Sequence, residues 1–214
     1  YFADRLTPAL GKHFDIPQNQ ILLGYGGEEI LERAFRACVS KGNTVLIPDP
    51  CWQHYAHLIR SSGAKMLKTR MRKETQSFSY DRDDLMQKIK ESKPSLILLT
   101  SPHLPTGCSL SFADLQAILQ IVPKSSLLLL DEVYWGWQKG YHAEAMQSLL
   151  SRMPNLMILR TFSKFYALAG VRVGFALCGR DAAKMLGSMK RFLGFNRLSR
   201  SEEHTSELQS PDHL

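Results

Sequence analysis

The side chains best suited to chemistry in this chain stand in five short clusters. These are Gly24-Tyr25-Gly26-Gly27-Glu28-Glu29, Pro50-Cys51-Trp52, Ser101-Pro102-His103-Leu104-Pro105-Thr106-Gly107, Asp131-Glu132-Val133-Tyr134 and Thr161-Phe162-Ser163-Lys164. Ala167-Leu168-Ala169-Gly170-Val171-Arg172-Val173-Gly174-Phe175 follows the last of them. Together they offer an amine, carboxylates, a phenol, hydroxyls, a guanidinium and an indole. Singly, none decides a function. A glycine turn before a helix is usually only a turn, a lone lysine is usually solvated, and a tryptophan at a helix start is commonly core. Asp131 stands out because it directly follows the apolar run Leu127 to Leu130, where a carboxylate is costly unless a cation or hydrogen-bond donors meet it.

The elements that position these clusters can be read from hydrophobic periodicity. Ile30, Leu31, Ala34, Phe35 and Cys38 recur at helical spacing and predict a helix from about Glu28 to Ser40. Thr44 to Ile47 reads as a buried strand closed by Pro48-Asp49-Pro50, with a helix from Trp52 to Ser61 after it. Lys65 to Thr69 reads as a strand, Asp81 as the cap of a helix to Lys90, and Leu96 to Leu99 as a strand. Ser111 with Asp114 resembles a capping box for a helix to Gln120. Leu127 to Leu130, Met157 to Leu159 and Val171 to Leu177 complete the apolar runs. Apolar strands alternating with amphipathic helices predict an α/β fold, a three-layer αβα sandwich around a mostly parallel sheet. In such sheets ligands bind beyond the carboxyl ends of the strands, where the five clusters fall.

Composition narrows the class. The 214 residues are 44% hydrophobic and 22% charged, ordinary for a globular protein. No apolar run approaches the ~20 residues of a membrane-spanning helix, and Tyr1-Phe2-Ala3-Asp4 opens no secretory signal. Because the chain does not begin with methionine, residues are expected upstream. Cys38, Cys51, Cys108 and Cys178 are widely spaced, which predicts four free thiols and a cytoplasmic location. The formal charge is +7. The one dense basic stretch, Lys65 to Lys73, reads as a solvated strand and loop rather than a surface for nucleic acid or an anionic ligand.

Taken together and in order, the clusters resemble the large domain of the pyridoxal-phosphate aminotransferases of fold type I, nearest to the histidinol-phosphate aminotransferases. T-F-S-K followed by A-L-A-G-V-R-V-G-F is the most specific part. The resemblance implies pyridoxal 5'-phosphate as cofactor, Lys164 as its Schiff-base lysine and Asp131 as the partner of its ring nitrogen. Tyr134 would face its phenolate oxygen. Backbone N–H groups of Gly27 and Glu28, with Ser163, Arg172 and more weakly Thr161, would hold the phosphate, and Trp52 would cover the ring. The implied reaction is transamination of an amino acid or an amino-alcohol phosphate, as in the histidinol-phosphate aminotransferases, with small-molecule amino acid and 2-oxo acid substrates, within a homodimer, with no metal, nucleic acid or membrane involved.

Two features depart from the pattern. Relatives carry asparagine before the P-T-G, and its amide bonds the cofactor's phenolate oxygen; this chain has Leu104. Either Tyr134 carries that contact alone, or His103 swings in, or the chain belongs to a divergent subfamily with altered chemistry. The relatives also possess an N-terminal arm and a small C-terminal domain. The chain is therefore expected to hold one large domain, residues 1–199, truncated at both ends and by itself weakly active or inactive. Residues 200–214, beginning R-S-E-E-H-T-S-E-L-Q-S, resemble a translated sequencing adapter and are expected to be disordered. Without them the balance is 26 basic against 16 acidic residues, or +10. Two rival readings share the fold: a lyase or decarboxylase on the same cofactor, such as threonine-phosphate decarboxylase, and the effector domain of a transcription regulator.

Overall fold

Every second residue of a strand faces the same side of its sheet, and in this chain the two sides collect two separate cores. The computed structural model describes residues 5–137 and 143–188. Its strands are β1 (Ile21–Tyr25), β2 (Thr44–Asp49), β3 (Lys65–Lys73), β4 (Phe78–Tyr80), β5 (Leu96–Thr100), β6 (Leu127–Asp131), β7 (Leu156–Thr161) and β8 (Val173–Cys178). Its helices are α1 (Leu6–Phe14), α2 (Gly26–Cys38), α3 (Gln53–Ser61), α4 (Arg82–Ser92), α5 (Phe112–Leu119), α6 (Ala143–Arg152) and α7 (Arg180–Gly187). Leu128 and Leu130 of β6 join a core with side chains of α1, α4, α5 and α6. Leu127 and Leu129 join the other, with α2, α3 and α7. The αβα sandwich expected from the sequence is thus present, its central strands fully buried because helices cover both faces. Each buried Leu or Ile contributes about 1.5–3 kcal/mol.

The sheet order is β1-β8-β7-β6-β5-β2-β3-β4. Strands β7, β6, β5, β2 and β3 are parallel, whereas β8 lies antiparallel between β1 and β7, and β4 antiparallel to β3 at the far edge. β8 is as apolar as the parallel strands, so its composition gave no sign of its direction. Reversal has a functional consequence, since it carries the residues just before β8 to the edge where the other central strands end.

Element boundaries move by a few residues. α2 begins at Gly26 and closes at Cys38, β3 runs on to Lys73, and β8 starts only at Val173. Asp81 does cap α4, accepting from the Asp84 N–H. At α5 the Ser111 hydroxyl accepts from the Asp114 N–H at 3.0 Å, but Asp114 takes the Ser111 hydroxyl at 2.6 Å instead of returning to the backbone, so the reciprocal half of a capping box is missing. Three cations of the basic stretch are paired locally: Lys68 with Asp49, Arg70 with Asp84, and Arg72 with Asp81 and Asp83. Such exposed pairs contribute little to stability. All four cysteines are free thiols.

One glycine fixes how closely α2 approaches the sheet. A Cβ on Gly174 of β8 would lie 2.5 Å from the backbone nitrogen of Gly27. Gly174→Ala is therefore expected to push the start of α2 off the sheet and cost about 1–3 kcal/mol, the usual range for overpacking. Thermal denaturation checks this, and an unchanged melting temperature would contradict it.

Candidate active site

The carboxyl ends of β5, β6 and β7 open onto a cavity of ≈ 290 Å³. Helix α2 comes to the same edge because β1 runs parallel to these strands. All nine residues singled out above line it: Gly27, Glu28, Trp52, Asp131, Tyr134, Thr161, Ser163, Lys164 and Arg172.

Strand alternation separates the two adjacent acids at the end of β6. Asp131 shares the parity of Leu127 and Leu129 and turns to the α2–α3 side, into the cavity. Its Oδ2 accepts from the Tyr55 hydroxyl at 2.7 Å and its Oδ1 from the Val133 N–H at 3.0 Å. Both donors are neutral, and burial pushes its pKa above the ordinary carboxylate value despite them. Glu132 falls on the opposite side, where it meets Arg160 at 2.9 Å with both side chains buried. Arg160 also lies 3.9 Å over the ring of Trp135. The pair anchors the turn that carries Tyr134.

The start of α2 supplies backbone donors. The first N–H groups of a helix have no partner within it and together carry partial positive charge. Gly26 adopts φ +77, and a Cβ there would lie 2.5 Å from Arg172 Nη2. The missing side chain thus makes room for the guanidinium, which reaches Ala169 O with Nη1 at 3.2 Å. Arg172 itself is in the left-handed region, φ 60. The carboxylate of Glu28 lies 3.4 Å from His54 on α3, and Glu29 folds back onto the Tyr25 N–H at 3.2 Å while pairing with Arg33 at 2.7 Å.

The two hydroxyls at and just beyond the end of β7 differ. Thr161 donates to Val173 O at 3.0 Å and accepts from the Ser163 N–H at 3.1 Å, so it staples the loop to β8. Ser163 Oγ is buried without a hydrogen-bond partner, a cost that an anion accepting from it would relieve. Lys164 places Nζ 5.4 Å from the centre of the Tyr134 ring. Trp52 caps the start of α3 and is partly exposed at the cavity, its ring edge-on to Tyr55 at 5.4 Å.

Leu104 lines the cavity, whereas His103 does not. The His103 ring is buried, meets the Thr106 hydroxyl at 2.7 Å and packs edge-on against Tyr80. Burial lowers its pKa to about 4, so the ring is neutral. It faces a neighbouring cavity of ≈ 330 Å³ that Leu104, Pro105, Tyr134 and Trp137 also line. Of the two side chains considered for the contact that Leu104 cannot make, Tyr134 lines the cavity and His103 does not.

Sequence reasoning missed Tyr55. Its signal was available, since it stands three residues after Trp52 and therefore on the same side of the first helical turn. Thr100 and Val133 of the lining were also missed. Among the described residues no group of His, Cys, Asp and Glu is arranged to hold a metal ion, and no helix is long and apolar enough to cross a membrane.

The family model for aminotransferase class I and II matches residues 3–205. The chain belongs to that family. Its curated relatives include histidinol-phosphate aminotransferase 1 of Nitrosococcus oceani, 34% identical over 209 residues, covering 98% of this chain and 55% of that protein. Histidinol-phosphate aminotransferase of Thermoanaerobacter pseudethanolicus is 29% identical over 198 residues, covering 92% of this chain and 54% of its own. The family member described here thus spans about half the length of these relatives. Its fold matches the crystal structure of histidinol-phosphate aminotransferase from Sinorhizobium meliloti in complex with pyridoxal-5'-phosphate, with TM-score 0.86 and 24% identity over 100% of this chain and 57% of that one.

Proposed function

We propose that the protein is a pyridoxal-phosphate aminotransferase that moves an amino group between the glutamate/2-oxoglutarate pair and a second amine/ketone pair, whose amine resembles histidinol phosphate or is another amino acid. The observation that carries this reading is the convergence on one cavity of a lysine amine, a buried carboxylate and an unpartnered buried serine hydroxyl beside a glycine-opened helix start. That donor set fits the cofactor at both ends. Ser163, Arg172 and the N–H groups of Gly27 and Glu28 suit a phosphate, while Asp131, ill at ease without a cation, suits a protonated ring nitrogen. Thr161, its proton already committed to Val173 O, would act only by shaping the loop.

When bound, the cofactor supplies an electron sink for negative charge developing at the substrate Cα. Lys164 would hold its aldehyde carbon and, freed by the substrate's amine, take a proton from Cα with Nζ. Asp131 would keep the ring nitrogen protonated. Tyr134 would donate its hydroxyl to the ring oxygen, and Trp52 would cover the ring and exclude water. We place the protein in the cytoplasm as a homodimer, and assign residues 1–199 to its large domain; residues 200–214 lie outside the described residues.

Amino transfer from glutamate by the full-length protein, followed as 2-oxoglutarate formed in the presence of candidate 2-oxo acceptors and in reverse from histidinol phosphate, tests the reading. Transfer to at least one partner is expected. Release of carbon dioxide or ammonia without transfer would overturn it in favour of a decarboxylase or lyase.

A further inference from the structure

One side chain of the cavity lining bridges two of its walls. Tyr55 sits in the first turn of α3, 3% exposed, with its hydroxyl 2.7 Å from Asp131 Oδ2 and its ring edge-on to Trp52. It thus joins the carboxylate at the end of β6 to the indole at the start of α3, two groups 79 positions apart in sequence. We propose that Tyr55 is a positioning residue that holds the Asp131 carboxylate in the orientation needed to pair with the ring nitrogen of the bound cofactor.

Three observations support it. First, the carboxylate has two oxygens, and one is already oriented by the Val133 N–H. With only that bond the group could rotate about its last torsion, which is broad for a carboxylate; a second donor on the other oxygen removes that freedom. Second, both partners are buried, so water does not substitute for the phenol if it is lost, and a lost hydrogen bond to a charged acceptor there is expensive. Third, the hydroxyl favours the charged carboxylate against the burial that opposes it, while the carboxylate and burial together hold the phenol well above its ordinary pKa. Tyr55 therefore stays a proton donor. Tyr80 and Cys51 are the other titratable groups near it, and neither takes the place of Asp131 as its hydrogen-bond partner.

The inference rests on the cofactor reading above, and the test separates the two. Pyridoxal phosphate is titrated into the cofactor-free full-length protein and its dissociation constant read from visible absorbance, for wild type, Tyr55→Phe, Asp131→Asn and the double variant. Tyr55→Phe keeps the ring and its contact with Trp52, so packing is preserved. It is expected to weaken binding by about tenfold to a hundredfold, the range for a hydrogen bond to a charged acceptor. In the Asp131→Asn background the same change should cost less than about threefold, because residues acting through one contact are not additive. A second titration uses the cofactor analogue with carbon in place of the ring nitrogen, where Tyr55→Phe should again have little effect. Equal losses in both backgrounds, or with both ligands, would show a merely structural role and overturn the proposal. If wild type binds no cofactor, the cofactor reading itself fails and takes this inference with it.

Discussion

Lys164→Ala should reduce amino transfer by at least about 10²–10⁴-fold, the usual worth of one positioned proton-transfer group. The loss should exceed that range because the same amine would also anchor the cofactor covalently. The structural basis is placement: Lys164 stands in the loop after β7, in the wall of the cavity shared with Asp131 and Ser163, and lies close to Tyr134. Substitution should leave the fold intact, since the side chain takes no part in either core. The decisive measurement is borohydride reduction of the cofactor-loaded full-length protein followed by peptide mapping. The label should fall on Lys164 in wild type and vanish in Lys164→Ala with the circular dichroism spectrum unchanged. A label on another lysine would remove Lys164 from the proposed role.

Asp131→Asn should weaken cofactor binding by about 10²–10⁴-fold, because breaking a buried ion pair by removing one partner costs about 3–5 kcal/mol. Its effect on the cofactor-free protein should have the opposite sign. Burial raises the folded-state pKa of Asp131, so the folded protein binds a proton that the unfolded chain has already released. The stability of the cofactor-free protein should therefore rise as pH falls from the raised folded value towards the ordinary carboxylate value. Above that window the charge is a standing cost. Asp131→Asn removes the titration, and the melting temperature without cofactor should become flatter with pH across it and higher at neutral pH. Calorimetry from acid to neutral pH, with and without cofactor, reads both effects. A variant less stable than wild type at neutral pH without cofactor would contradict the assignment of Asp131 as an uncompensated buried charge.

How far the sequence could be read depended on whether a feature is local. The apolar runs Leu96 to Leu99 and Leu127 to Leu130 are continuous because both faces of their strands are covered, and that announced a buried sheet with helices on either side. The chemistry-bearing residues were legible for a related reason: they follow the strands in sequence, and the ends of parallel strands share one edge. The strict two-residue period even determined that Asp131 and Glu132 face opposite ways, one to the cavity and one to Arg160.

Contacts across the sheet were decided only by the tertiary structure, since no local pattern encodes a partner distant in sequence. The antiparallel course of β8 is set by its pairing with β1 and β7, and that course brings Arg172 to the cavity edge. Thr161, at the end of β7, donates its hydroxyl to Val173 O of β8, while Ser163, two residues on, kept its hydroxyl open. His103 turned to Thr106 and Tyr80 and left Leu104 facing the cavity, a choice between neighbours that periodicity does not rank. Tyr55 joined Asp131 because α3 covers the face onto which strand alternation had turned that carboxylate. The sequence by itself determined which chemical groups gather at the strand ends; packing between elements determined which of them are already satisfied by one another and which remain open to a ligand, because hydrogen-bond partners are assigned by proximity in space.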